Sequence, residues 1–348
     1  MAKRRTTQMS DVARAAGVSL MTVSNVLNGR PNVGADTRLR VLEVVDELGY
    51  EINLTARRLR TGRTGAVSLI VPRFDHQYYS ELASRVSDAL APEGLHLVVE
   101  QSGAVREREL SALSLARLQQ YDGVLLSAVG LGYDDLERMH PDVPIVLLGE
   151  QDVPDRYHRI QMNNTAGARL ATDHLLACGA RRIAVLGGRL ESDRPDVATQ
   201  RTEGWAAALR AADQEPDPAL VIPVETFSLP EARAAIAARV SDGLDIDGVL
   251  GLTDEIAIGA MAGLRDVGRS VPDDVQVVGF DNLRISEHVA PGLTTIDPGH
   301  DAMVAEALRL LRQQMEEAAT PPEHVVGTVA LIERGSTLVR TARSSRSR

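Results

Sequence analysis

The sequence predicts a chain in two unlike parts, a small all-α head built on a helix-turn-helix and a much longer α/β body. Three observations carry this: two short apolar-striped helices that meet at a glycine, a regular alternation of strand-like and helix-like runs after residue 65, and a charge that changes sign between the parts. Residues 1–64 hold 11 Lys and Arg against 6 Asp and Glu (+5), and the rest hold 27 against 42 (−15), together the formal −10 of the 348-residue chain. A basic head on an acidic body concentrates attraction to a polyanion in one place.

In the first segment Met9, Val12, Ala13 and Ala16 fall at i, i+3, i+4 and i+7, one buried stripe of a short helix. Gly17 ends it, Val18 plugs the corner, and Ser19 is placed to cap a second helix running to about Leu27. Val23, Val26 and Leu27 then face inward, leaving Leu20, Met21, Ser24, Asn25 and Asn28 as the outward face, the one a helix-turn-helix lays in a major groove. A third helix starts near Ala35, buries Val41, Val44, Val45 and Leu48, and stops at Gly49. Residues 53–64, NLTARRLRTGRT, set one large aliphatic side chain, Leu59, among Arg57, Arg58 and Arg60, in a stretch too short to be a stable free helix.

The remaining residues are enough for two domains. Apolar runs at 66–71, 95–99, 123–127, 144–149, 159–162, 182–187, 219–224, 247–252 and 275–280 read as strands, with helices such as 165–178 and 199–212 between them. That alternation specifies parallel sheets with helices on both faces, whose ligand clefts lie at the carboxyl ends of the strands. The sequence has one cysteine, Cys178, so an intrachain disulfide and a thiolate zinc site are excluded and a reducing cytoplasm fits. Metalloprotease, nucleophile-elbow and P-loop patterns are absent, and no cofactor is expected. A signal peptide and an 18-residue apolar run are also absent, so no membrane role is expected.

These strings resemble the lactose-repressor (LacI/GalR) family of transcriptional regulators over nearly the whole chain: MSDVARAAGVSLMTVSNVLNG, then TRLRVLEVVDELGY, then the hinge ARRLRTGRTG. The resemblance implies a helix-turn-helix head (1–52), a hinge helix (53–64) and a two-lobed periplasmic-binding-protein-like (type I) core (65–348). Its first lobe would cover about 65–162 plus 296–324, its second 163–295 plus 325–340, and 341–348 would be a basic tail. Leu20 and Met21 match the positions that set operator preference, and Asn25 stands where an arginine is common; apolar side chains suit thymine methyls and Asn an adenine edge. Ser19, Ser24, Asn28 and Thr37 match phosphate-binding positions, capping and solvation being their other roles. Thr22 and Asn32 in the head, and Ala56, Arg57 and Arg60 in the hinge, complete the expected DNA contacts. Leu59 would be the wedge that enters a central base step from the minor groove. Ile52 departs from the family, which often has proline there.

For the effector, the matching strings RTEGW, TDEIAIGAM and VVGFDN imply that Arg201, Asp254 and Asp281 face the ligand, with Phe227 and the pair Tyr78 and Tyr79 against it, although His76 and Gln77 replace the usual Asn and Pro. Other roles stay open: a helix cap for Asp254, a surface ion pair for Arg201, core for Phe227, and a dimer face for the tyrosines. The implied protein is an allosteric repressor of palindromic double-stranded operator DNA. It would work as a cytoplasmic, nucleoid-associated homodimer, its tail TARSSRSR lacking a leucine heptad, with a sugar as effector. The alternatives are a purine or nucleoside effector, and a cytoplasmic sugar-handling enzyme with a basic head.

Overall fold

The computed structural model describes residues 7–27, 30–50, 63–191, 196–316 and 321–338, which fall in two compact units, Met1–Thr64 and Gly65–Arg348. In the first unit α1 spans Met9–Ala16, α2 Leu20–Leu27 and α3 Ala35–Glu47. Gly17 stops α1 by taking φ +64°, a conformation that costs a residue with a Cβ. Its N–H and that of Val18 then turn back to the carbonyls of Arg14 and Ala13. Val12, Ala13, Ala16, Val23, Val26, Val41 and Tyr50 form the buried centre. Two expectations change here. Leu48 follows the last turn of α3 and is 39% exposed, with Val44 and Val45 half-buried. Ser24 is buried rather than outward, because at 100° per residue it lies beside Leu27, which packs against the core at the edge of the inward face. Asn28 and the hinge residues Ala56, Arg57, Leu59 and Arg60 lie outside the described residues.

In the second unit the first lobe begins with β1 (Ala66–Val71), α4 (Gln77–Leu90), β2 (His96–Gln101), α5 (Arg106–Ala112), α6 (Leu115–Leu118), β3 (Gly123–Leu126), α7 (Tyr133–Arg138), β4 (Ile145–Leu148) and β5 (His158–Gln161). The second lobe holds α8 (Asn164–Ala177), β6 (Ile183–Leu186), α9 (Val197–Ala211), β7 (Val221–Ile222), α10 (Leu229–Ser241), β8 (Gly248–Gly251), α11 (Asp254–Asp266), β9 (Gln276–Phe280) and β10 (Thr294–Asp297). The chain then returns to the first lobe for α12 (His300–Glu316) and β11 (His324–Val326), and to the second for β12 (Ala330–Ile332). The two six-stranded sheets run β11-β5-β4-β3-β1-β2 and β12-β10-β9-β8-β6-β7. Their pairings are parallel except that β12 runs against β10. In both sheets the first strand sits inside the order, so connections leave it to either side and open a crevice at the carboxyl ends.

The nine apolar runs all become strands, within a residue or two except at 219–224. There Asp217 caps a 3₁₀ turn at Pro218–Leu220, and Pro223 has no N–H to continue the ladder, so β7 keeps two residues. β10, β11 and β12 come from short segments with no long apolar run. They move the second crossing between lobes to 298–299 and the third to 327–329, so Ile296 and Asp297 stay in the second lobe and residues 325–326 in the first. Each lobe has its own apolar centre, Val67, Leu69, Leu125 and Leu308 among the first lobe's residues and Trp205, Phe280, Ile256 and Val278 among the second's.

Candidate functional site

In the head, Ser19 Oγ accepts the Thr22 N–H at 3.1 Å, which fixes the start of α2. The first turn of α2 carries no acidic residue, so its partial positive charge is unopposed. Leu20 is 53% and Met21 73% exposed on this turn, a large apolar surface to leave in water. Thr22, Asn25 and Thr37 are half-buried and Asn32 is exposed. Behind them Arg38, a residue the sequence reading passed over, reaches from α3 to the Arg30 carbonyl at 2.6 Å and ties down the segment that follows α2.

In the body, a cavity of about 490 Å³ opens between the lobes. It is lined at the ends of β1 (Pro72, Arg73), β3 (Ser127), β4 (Glu150), β5 (Met162), β8 (Thr253) and β9 (Asp281), as the sheet order requires, and by Phe227 in the segment between β7 and α10. Tyr78, Tyr79 and Arg201 also line it. Three non-glycine residues on its wall, Ala104, Phe227 and Asp281, hold φ of +56°, +54° and +116°. Strain of this kind gathers where surrounding structure over-determines a position.

The motif strings now have physical meanings. In RTEGW, Arg201 is 2% exposed and points into the cavity wall. Gly204 lets α9 approach α8, since a Cβ there would lie 2.3 Å from the Thr165 carbonyl. Trp205 anchors the helix by donating from Nε1 to the Ile183 carbonyl at 3.0 Å. Arg201 Nε donates to Asn164 Oδ1 at 2.7 Å, and Nη1 donates to the Leu252 carbonyl. Nη2 lies 3.6 Å from Asp281 Oδ1. The guanidinium carbon sits 3.5 Å from the centre of the Phe280 ring. Asn164 Nδ2 in turn donates to Glu150 Oε1 at 2.8 Å, so Glu150, Asn164, Arg201 and Asp281 form one polar chain across the first crossing.

Burial pushes the Asp281 carboxyl well above the usual carboxylate range, with Arg201 pulling against it, and the same burial lowers Arg201. Their attraction only partly offsets the loss of water, so both gain when ligand hydroxyls supply hydrogen bonds. The Asp281 carbonyl, which can only accept, lies 2.7 Å from His300 Nε2, so that nitrogen carries the hydrogen. Burial lowers His300, keeping it neutral at pH 7. Tyr78 and Tyr79 meet edge to face at 4.8 Å, and burial raises Tyr79 to about 12.

Asp254 does not meet the expectation that it faces the ligand. It is fully buried behind the wall, where Oδ2 accepts from the Leu283 N–H at 2.7 Å and Ser286 Oγ at 2.6 Å, and Oδ1 accepts from Thr295 Oγ1. The physical reason lies in VVGFD: a Cβ on Gly279 would meet Asp254 Oδ1 at 2.3 Å, so the glycine makes the space the carboxylate fills. Asp254 thus clamps the segment that holds Asp281. The cap of α11 is Thr253, whose Oγ1 accepts the Ile256 N–H at 3.2 Å. Arg201, Asp281, Phe227, Tyr78 and Tyr79 are brought together on one cavity. The sequence reading missed Glu150, Asn164, Arg189 and His300. Glu150 was within reach, standing directly after a strand-like run, whereas nothing in the sequence marks His300.

A helix-turn-helix in one unit and an interlobe cavity in the other are the parts that a ligand-controlled transcriptional regulator needs. Residues 8–53 match the bacterial regulatory proteins of the lacI family, and residues 172–337 match a periplasmic binding protein-like domain. The HTH-type transcriptional regulator CelR of Thermobifida fusca is 34% identical over 97% of this chain and 100% of its own. A CelR–cellobiose complex superimposes with a TM-score of 0.69 at 31% identity, covering 95% of this chain and 99% of that one. The lac repressor dimer bound to operator and the anti-inducer ONPF gives 0.77 at 27%, covering 96% and 100%. The chain belongs to the lacI family of bacterial regulatory proteins. It is a DNA-binding transcriptional repressor under the control of a small-molecule effector.

Proposed function

We propose that this repressor acts in the cytoplasm as a homodimer on a palindromic operator and that its effector is a neutral sugar held between the lobes by Arg201, Asp281, Phe227, Tyr78 and Tyr79. The observation that carries the effector class is the lack of surplus positive charge, since Glu150 and Glu225 line the cavity besides the paired carboxylates. Among the described residues, each arginine on the cavity has a carboxylate: Arg73 with Asp75 at 2.8 Å, Arg189 with Asp196 at 3.0 Å and Arg201 with Asp281 at 3.6 Å. Matched pairs offer donors and acceptors to hydroxyls but leave no net positive charge for a phosphate. Aromatic faces beside them suit the C–H faces of a pyranose. The cellobiose seen on CelR agrees with this class.

Ligand binding would change the separation of the lobes and, through the dimer, the two heads and hinges, with Leu59 as the wedge on DNA. Selection of bound sequences from a random DNA pool, with light scattering for oligomeric state, tests the first half; a palindrome and a dimer mass are expected. Calorimetric titration with glucose, cellobiose, their phosphates and purine bases tests the second. Binding of a phosphate ester or purine with no neutral sugar bound would overturn the effector class.

A further inference from the structure

We infer that Glu109 is a positioning residue for the effector: it touches no ligand itself, and its carboxylate holds in place part of the cavity wall that the first lobe contributes. The inference rests on the reading of the interlobe cavity as the effector site, but on a side chain that does not line that cavity. Glu109 lies on α5 and is 0% exposed, a costly place for a carboxylate unless its oxygens find donors. The donors are three consecutive backbone N–H groups beyond the end of β3. Oε1 accepts from Val129 at 3.2 Å and from Gly130 at 3.1 Å, and Oε2 accepts from Gly130 at 3.1 Å and from Leu131 at 3.0 Å. Consecutive N–H groups aimed at one spot make a concavity for an anion. Here the anion is a side chain, so the path of this loop is set by where α5 puts the carboxylate. Gly130 completes the fit, since a Cβ there would lie 2.6 Å from the Arg106 backbone nitrogen at the start of the same helix.

Oε1 also accepts from Ser102 Oγ at 3.3 Å, and that hydroxyl in turn accepts the Ala104 N–H at 3.3 Å. Ala104 keeps its φ of +56° beside this bond, a conformation that persists only where neighbouring contacts enforce it. One buried carboxylate therefore ties together the segments that follow β2 and β3. From these segments Gly103, Ala104, Ser127, Ala128 and Val129 line the cavity, and Ser127 Oγ donates to the Tyr79 hydroxyl at 3.5 Å, next to where the ligand is placed. The second lobe has a counterpart in Asp254, which accepts the Leu283 N–H behind Asp281. An amide in place of the Glu109 carboxylate would keep one acceptor oxygen and turn a donor toward the loop, leaving N–H groups buried without a partner. The loop would then lose its fixed path, and with it the wall that the ligand meets.

The test is Glu109→Gln in the full-length protein, compared with Leu118→Ala, which truncates a buried side chain of the same lobe that does not line the cavity. Three readouts are taken: calorimetric titration with glucose, galactose, xylose and cellobiose, operator Kd without sugar, and deuterium uptake over residues 127–131 by mass spectrometry. For the sugar that binds the wild type, Glu109→Gln should weaken binding by at least about tenfold, speed exchange at 129–131 and leave the operator Kd unchanged. Leu118→Ala should lower the Tm and change neither sugar affinity nor exchange there. Ser102→Ala, which removes only the link to Ala104, should give a smaller loss of sugar affinity; it decides the matter if Glu109→Gln fails to fold, an unchanged affinity then counting against the clamp. Unchanged sugar affinity in Glu109→Gln, an equal loss in Leu118→Ala, or a parallel loss of operator affinity would overturn the inference while leaving the cavity as the effector site. If no sugar binds the wild type, the sugar reading falls and exchange decides: faster uptake at 129–131 in Glu109→Gln alone supports the clamp, and equal uptake in wild type and variant overturns it.

Discussion

Within the second lobe, Asp254 and Asp281 divide two tasks between two buried carboxyls. Asp281 is on the cavity, and its alanine variant is expected to lose the sugar response while keeping operator binding, as measured by calorimetry and by anisotropy of labelled operator. Asp254 holds three donors of the segment behind it, so Asp254→Ala leaves the Leu283 N–H and two hydroxyls without their acceptor and should cost about 2–4 kcal/mol, read from denaturant unfolding. Asp254→Asn keeps an acceptor for Leu283 and Ser286 and should cost less. Burial raises the Asp254 carboxyl to about 6. The native state therefore retains this proton over a range where the unfolded chain, ionising near about pH 4, has released it. Its contribution to stability falls as pH rises from about 4 to 6 and stays low above, and Asp281, shifted the same way, adds to that slope. Asp254→Asn should flatten it, which unfolding curves at several pH values would reveal.

At the scale of elements, the two helices that present function are fixed by small, local features. The capping oxygen of Ser19 sets the start of α2, so Ser19→Ala should lower head stability by about 1 kcal/mol in thermal unfolding. Replacing Leu20 and Met21 should leave the fold intact, both being largely exposed, while changing which operator is selected. Gly204→Ala should push α9 off α8 and shift Arg201 away from Asn164, weakening sugar binding at least about tenfold in calorimetry. Much of this was legible in the sequence, because Gly17, Ser19 and the apolar stripes act over a few residues, and because strand-like runs buried on both faces are nearly continuous. RTEGW and VVGFDN led to Arg201 and Asp281 through resemblance. What escaped depended on distant chain: β10–β12 exist because other strands pair with them, and Ser24 is buried by its neighbours. Asp254 sits behind the wall because Gly279, far along the chain, leaves it space.

Over the whole core, the lobes meet on one flank as well as at the crossings. The Gln77 N–H at the start of α4 donates to Glu255 Oε1 at 2.8 Å, and the Arg284 N–H donates to Glu81 Oε1 at 2.9 Å, each bond joining one lobe to the other. In the proposed mechanism their strength would bias the lobe separation, and a ligand would shift that equilibrium only by its difference in affinity for the two arrangements. The single most direct measurement is the operator Kd of the wild type and of Asp281→Ala, with and without the sugar that calorimetry identifies. Effector control through the interlobe cavity predicts a change of at least about tenfold in the wild type, within the usual range of coupling energies, and none in Asp281→Ala. An unchanged operator Kd in the wild type with the sugar demonstrably bound would contradict it.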